Sequence, residues 1–222
     1  MSVYSIIISI VMLLTTIAGD IGAPGLVDSL CDPGDLFTVS RLTESDRRRI
    51  DGESWKPGCP VPIEDLRFIK VAYVDFGGRV KAGEIICHYT VADDLADIFR
   101  EIYESRFPIE RIKIVDEYGA DDALSMEDNN SSAFNFRFIS GTNNLSRHAY
   151  GLAIDINPIQ NPYVEESAGV VMPEAGRAYV DRSDIRPGMI TPGDAVHKAF
   201  TSRGWKWGGD WKYQIDYQHF QK

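Results

Sequence analysis

Cysteine, histidine and positive charge are all scarce in this chain, and each shortage removes a class of protein. Only three cysteines occur in 222 residues, and Cys31, Cys59 and Cys87 form no Cys-x-x-Cys pair, which excludes a disulfide-built miniprotein and the zinc-ribbon and thioredoxin patterns. In an oxidising compartment two of the three can pair and leave one odd thiol, and the sequence leaves that choice open. Lys and Arg number 23 against 33 Asp and Glu, so the basic footprint needed to engage a phosphate backbone is missing and nucleic acid is not an expected partner. Internal repeats and low-complexity tracts are also absent, and with them the solenoid and linker classes. What remains is 44% hydrophobic and 25% charged, the composition of a globular protein long enough to bury a proper core.

Met1 to Gly19 carries no charged side chain, and Ile6 to Leu14 is almost wholly apolar. A spanning helix needs about 20 such residues, and this run is shorter. Small residues follow at Thr16 and Ala18 with the spacing a signal peptidase reads, so residues 1–18 are expected to form an export signal cleaved after Ala18. An uncleaved N-terminal anchor is the alternative, because the segment has no Lys or Arg ahead of its apolar core. The expected location is the periplasm, the cell envelope or the extracellular space, and the expected state is a monomer.

Residues 19–65 mix Pro, Gly, Asp, Ser and Arg without sustained periodicity and are expected to be an irregular lead-in. Beyond them, Phe68 to Phe76 and Glu84 to Tyr89 flank Gly77-Gly78, the pattern of a hairpin. Thr90 then stands as N-cap to a helix whose apolar stripe is Val91, Leu95, Ile98, Phe99, Ile102 and Tyr103, stopped by Pro108. A second helix is expected over 194–203, burying Val196, Ala199 and Phe200, with Gly204 as its left-handed terminator. Short strands suit Leu152 to Asn157, Trp205 to Trp207 and Tyr217 to Gln221, giving an α+β class: a small antiparallel sheet with flanking helices over residues 66–222.

With four histidines, any histidine-based metal site has few compositions. His148 stands just before the bend at Gly151, and the two-residue period of a strand puts Ala153, Asp155 and Asn157 on one face with Leu152, Ile154 and Ile156 on the other. His219 follows three residues after Asp216 near the end of the chain. His148, Asp155 and His219 would fill three places of a zinc tetrahedron and leave the fourth for water, with Asp216 as the non-ligating carboxylate that moves the proton. Residues three apart face opposite ways in a regular strand, so Asp216 and His219 can share a site only if the chain bends between them.

The pattern Ser-x-His-x-x-Gly-x-Ala-x-Asp, here Ser146 to Asp155, followed by Trp-x-x-x-x-Asp-x-x-His, here Trp211 to His219, resembles the signature of the bacterial cell-wall zinc peptidases. That family includes D-alanyl-D-alanine carboxypeptidases and L-alanyl-D-glutamate endopeptidases. The resemblance extends from Phe134 to the end of the chain and departs at Phe136, where Cys is expected. It implies one zinc ion per chain on His148, Asp155 and His219, Asp216 as general base and then acid, and Arg137 facing the developing oxyanion. Ser146 is assigned either a substrate hydrogen bond or the capping of its own turn. Peptidoglycan stem peptides are the implied substrate, cut between L-alanine and D-glutamate, with release of terminal D-alanine as the alternative. A rival of another class is a zinc-bearing binding module like the Hedgehog signalling domain, which resembles these peptidases and acts by binding partners.

Other residues have plainer readings. His88 is expected to be packed or at the surface, His197 on a helix surface, and Trp205, Trp207 and Trp211 half-buried core rather than a substrate wall. The acids Asp116, Glu117, Asp121, Asp122, Glu127 and Asp128 lack calcium-loop spacing and read as a solvated loop.

Overall fold

The computed structural model describes residues 36–222; residues 1–18, expected to form an export signal or an anchor, and Cys31 lie outside the described residues. The elements run β1 (Thr38–Arg41), α1 (Glu44–Ile50), β2 (Leu66–Val74), β3 (Val80–His88), α2 (Tyr89–Glu104), β4 (Arg111–Ile112), α3 (Asp122–Glu127), β5 (Asn130–Ser131), β6 (Ala153–Asp155), β7 (Tyr163–Glu165), β8 (Val170–Met172), α4 (Ala195–Thr201), β9 (Lys206–Trp207), β10 (Ile215–Asp216) and β11 (His219–Gln221). They form three small antiparallel sheets, β1-β2-β3, β10-β7-β8 and β6-β11-β9, and a parallel pair β4-β5. This is the α+β architecture expected. No helix among the described residues is long and apolar enough to cross a membrane.

The β2-β3 hairpin is apolar on both faces, and this decides what surrounds it. Ile69, Val71, Tyr73, Ile85 and Cys87 pack with the α2 stripe of Val91, Leu95, Ile98, Phe99 and Ile102 in one core. Leu66, Phe68 and Ile86 face the other way and pack with Leu42, Ile50 and Val61. The segment expected to be an irregular lead-in therefore contains β1, which extends the sheet, and α1, which helps cover its second face. Periodicity could not show α1 because only Ile50 of its seven residues is buried. Its signal was a capping box: Thr43 Oγ1 accepts from the Asp46 amide at 3.2 Å and the Asp46 carboxylate accepts from the Thr43 amide at 2.8 Å.

Helix α2 starts two residues earlier than expected. Its cap is His88 rather than Thr90, the Thr90 amide donating to His88 Nδ1 at 3.4 Å. Helix α4 matches its expected position, capped by Asp194, with Gly204 in the left-handed region at φ +80°. Its buried Phe200 stacks on Phe220 of β11 at 4.1 Å between ring centres, fastening the C-terminal sheet to the main core. Trp205 and Trp207 are in that core, as expected, and His197 packs edge-on against Trp207. Cys59 and Cys87 are not bonded to one another.

Candidate metal centre and active site

Ser146 opens a short 3-10 turn, Arg147–Tyr150, by accepting the His148 amide on its Oγ at 3.3 Å. The turn ends at Gly151, with φ +65°, whose carbonyl accepts the His88 amide at 3.0 Å. A Cβ at Gly151 would lie 2.6 Å from His88 N, so both the backbone angle and the close approach require glycine. His148 is thereby seated against the hairpin. Strand β6 follows, pairing with β11 so that Asp155 stands opposite His219. Asn157 does not continue the Asp155 face as expected: β6 ends at Asp155, and Asn157 turns at φ +47° to bind Pro108 and Gly188 carbonyls.

The three expected ligands converge. His148 Nε2 lies 3.2 Å from Asp155 Oδ2 and 3.2 Å from His219 Nδ1, and His219 Nδ1 lies 3.0 Å from Asp155 Oδ1. Among the described residues, these three offer donor atoms within 4.8 Å of one another, all buried. The outer ring nitrogens set the tautomers. His148 Nδ1 points at the Ala133 carbonyl at 2.5 Å, which can only accept, so Nδ1 carries the hydrogen and Nε2 is left as donor to an ion. His219 Nε2 faces Gln221 Oε1 at 3.1 Å, two residues along the strand on the same face, which frees Nδ1. Two imidazoles and a carboxylate are a donor set that suits zinc.

Electrostatics fit a cation. Burial alone would raise the Asp155 carboxyl, but the charges and hydrogen bonds of His148 and His219 hold it far below the usual carboxylate range. Burial opposes the charged form of His219, yet Asp155, with Asp216 and Gln221, pushes it up to about 9.

Asp216 ends β10, and Tyr217 and Gln218 turn the chain into β11, so the bend expected between Asp216 and His219 exists as a change of sheet. A Cβ at Gly208 would lie 2.5 Å from the Asp216 carbonyl oxygen, so that glycine admits the Asp216 backbone. Asp216 Oδ1 is buried without a hydrogen-bond partner, and burial, then the Asp155 charge, pushes its carboxyl up to about 6. Arg137 reaches the same cleft because its carbonyl accepts the Ser146 amide at 3.1 Å. The cleft encloses about 520 Å³ and is lined by all three ligands, Asp216, Arg137 and Ser146.

Three further lining residues were not read correctly from the sequence. Trp211, expected as core, lies at the cleft, 38% exposed, and packs against the His219 ring at 5.5 Å. The acidic string is no solvated loop: Asp121 caps α3, Asp128 accepts from Tyr118, and Asp122 pairs with Arg137 Nη2 at 2.9 Å inside the cleft. Gln221 also lines the cleft and had a signal, its two-residue spacing from His219.

The buried His, Asp, His triad, which can hold a metal ion, shares one cleft with a carboxylate that has an unpartnered oxygen and with a guanidinium. Residues 140–222 match the family model described as D-alanyl-D-alanine carboxypeptidase, so the peptidase resemblance drawn from the two motifs holds for the segment that carries all three ligands. Arg137 and Asp122 precede the matched segment. No curated protein and no solved structure matches the chain.

Proposed function

We propose that this chain is an exported zinc peptidase that hydrolyses the amide between L-alanine and D-glutamate in peptidoglycan stem peptides, with residues 66–222 as its catalytic domain and residues 36–65 as that domain's cover. The observation that carries the reading is the convergence of His148, Asp155 and His219 in the cleft that also holds Asp216 and Arg137. Zinc held there supplies Lewis-acid polarisation of the scissile carbonyl. Asp216, its carboxyl near 6, accepts a proton from the attacking water and returns it to the amine nitrogen as the C–N bond breaks. Arg137 donates to the carbonyl oxygen as charge grows on it, a contribution of about 2.7–4 kcal/mol for one such donor. Ser146 caps the His148 turn, and its place in the cleft wall also suits a hydrogen bond to the substrate.

A D-alanyl-D-alanine carboxypeptidase is the second reading, favoured by the description of the matching family. That activity needs a cation for the terminal carboxylate. Of the two arginines lining the cleft, Arg137 is assigned to the scissile carbonyl and Arg147 is engaged with the Lys222 carbonyl, which favours an internal bond. Asp216 and Arg137 together argue against a binding module, which needs neither. Mass spectrometry of products from purified stem peptides is the test: a new D-glutamate amino terminus is expected, free D-alanine as sole product would select the carboxypeptidase, and an undiminished rate after chelation would end the zinc reading.

A further inference from the structure

Two acidic side chains lining the cleft, Asp122 and Glu165, neither belong to the triad nor have a part in the proton transfers, and of these Asp122 is the one paired with Arg137. Asp122 is the first residue of α3, and the N-cap role belongs to Asp121, whose Oδ1 accepts from the Ala123 and Leu124 amides. The helix does not need Asp122 as its cap. Its carboxylate reaches Arg137 instead, Oδ2 lying 2.9 Å from Nη2, and both side chains line the cleft. The Arg137 carbonyl is anchored by the Ser146 amide, while its Nε is buried and has no hydrogen-bond partner. Arg137 is thus fixed at its backbone, and its guanidinium is held at one Nη.

An arginine side chain has many rotamers to lose, and a donor serves a transition state best when it is aimed before charge develops. A carboxylate on one Nη removes that freedom and leaves other N–H groups of the fork to act. We propose that Asp122 is a positioning residue, holding Arg137 aimed at the oxygen of the scissile carbonyl before that oxygen becomes charged. The inference rests on the peptidase reading above.

Asp122→Asn and Asp122→Glu, each in the zinc-loaded full chain with and without Arg137→Ala, test it on a stem peptide. Asp122→Asn is expected to lower kcat about 10- to 100-fold, the scale of a small misplacement in an active site, with KM and zinc content nearly unchanged, and Asp122→Glu to recover part of the loss. With Arg137→Ala already present, Asp122→Asn should change almost nothing, because the group it positions is gone. An equal loss in both backgrounds, a loss of zinc, or a rise in kcat would overturn the proposal. A readout independent of turnover is the Arg137 Nε–H signal in nitrogen-15 NMR of the metal-free protein. Its exchange with water should be slow in the parent and faster in Asp122→Asn. An unchanged signal overturns the positioning role even where peptide is cut, whereas faster exchange in a chain that cuts no stem peptide upholds the hold on Arg137 and discards the peptidase reading instead.

Discussion

Strands β2 and β3 are nine residues each and pair along their whole length, whereas no strand after residue 140 is longer than three. The hairpin and α2 are held by alternating apolar side chains and a helical stripe. The cleft-bearing segment is held mainly by polar side chains gripping the backbone. Asn161, fully buried, donates from Nδ2 to the Gly188 and Ile156 carbonyls and accepts the Ile190 amide on Oδ1 at 2.7 Å. Arg182 donates to the Gln160 and Ile190 carbonyls and lies 4.3 Å over the Tyr217 ring, bracing the turn between Asp216 and His219. Long regular elements project side chains in few directions, and a metal centre needs donors that converge from several. Short strands and turns supply that convergence, and buried amides give it the rigidity that length gives the hairpin.

The sharpest way to break the comparison is inside the cleft. Asp216→Asn keeps the shape but not the proton transfer, so it should retain zinc and lose activity toward the upper part of about 10²–10⁴-fold. His219→Ala removes one of three protein donors and should lose both metal and activity. Metal analysis beside rate measurements separates the two, and zinc lost from the first or kept at full occupancy by the second would reverse their roles.

In the hairpin region the largest effect should be on stability alone. Phe99 is fully buried under β2, and Phe99→Ala should cost about 3–5 kcal/mol in denaturant unfolding. A smaller loss is expected from Asn161→Ala, about 1–3 kcal/mol for a buried partner left unmade, accompanied by weaker zinc binding because Ile156 adjoins Asp155. If zinc affinity is untouched, the amide network supports the fold without supporting the site.

The smallest effect is a proton count. His219, pushed up to about 9 in the metal-free centre, is protonated at neutral pH and must lose that proton before Nδ1 can bind an ion. Zinc binding at pH 7 should release about one proton from this group, and affinity should fall about tenfold per unit as pH drops below the His219 value. Calorimetry in buffers of different ionisation enthalpy measures the release. A pH-independent affinity between 7 and about 9 would show that His219 is not the proton-bearing ligand.

Legibility followed the same division. The α2 stripe and the burial of Val196, Ala199 and Phe200 were readable because a 3.6-residue period reports one apolar face. Helix α1 escaped because a seven-residue helix with one buried side chain has no period to read. The acidic residues around Asp122 looked solvated because composition cannot tell a surface carboxylate from one that meets a guanidinium 15 positions later.

By itself the amino-acid sequence determined which side chains can bind an ion and which can move a proton, since donor chemistry belongs to the residue type and the two motifs set its order. Gly151 was legible as a motif position, but the neighbours that demand glycine there and at Gly208, His88 and Asp216, belong to the packed chain. Tertiary structure alone decided that Asp155 faces His219 across 64 residues, that the Ala133 carbonyl and Gln221 choose the imidazole tautomers, and that Asp122 grips Arg137. The physical reason is range: periodicity and capping act within a few turns of chain, whereas strand register and buried ion pairs arise only when distant surfaces close on one core.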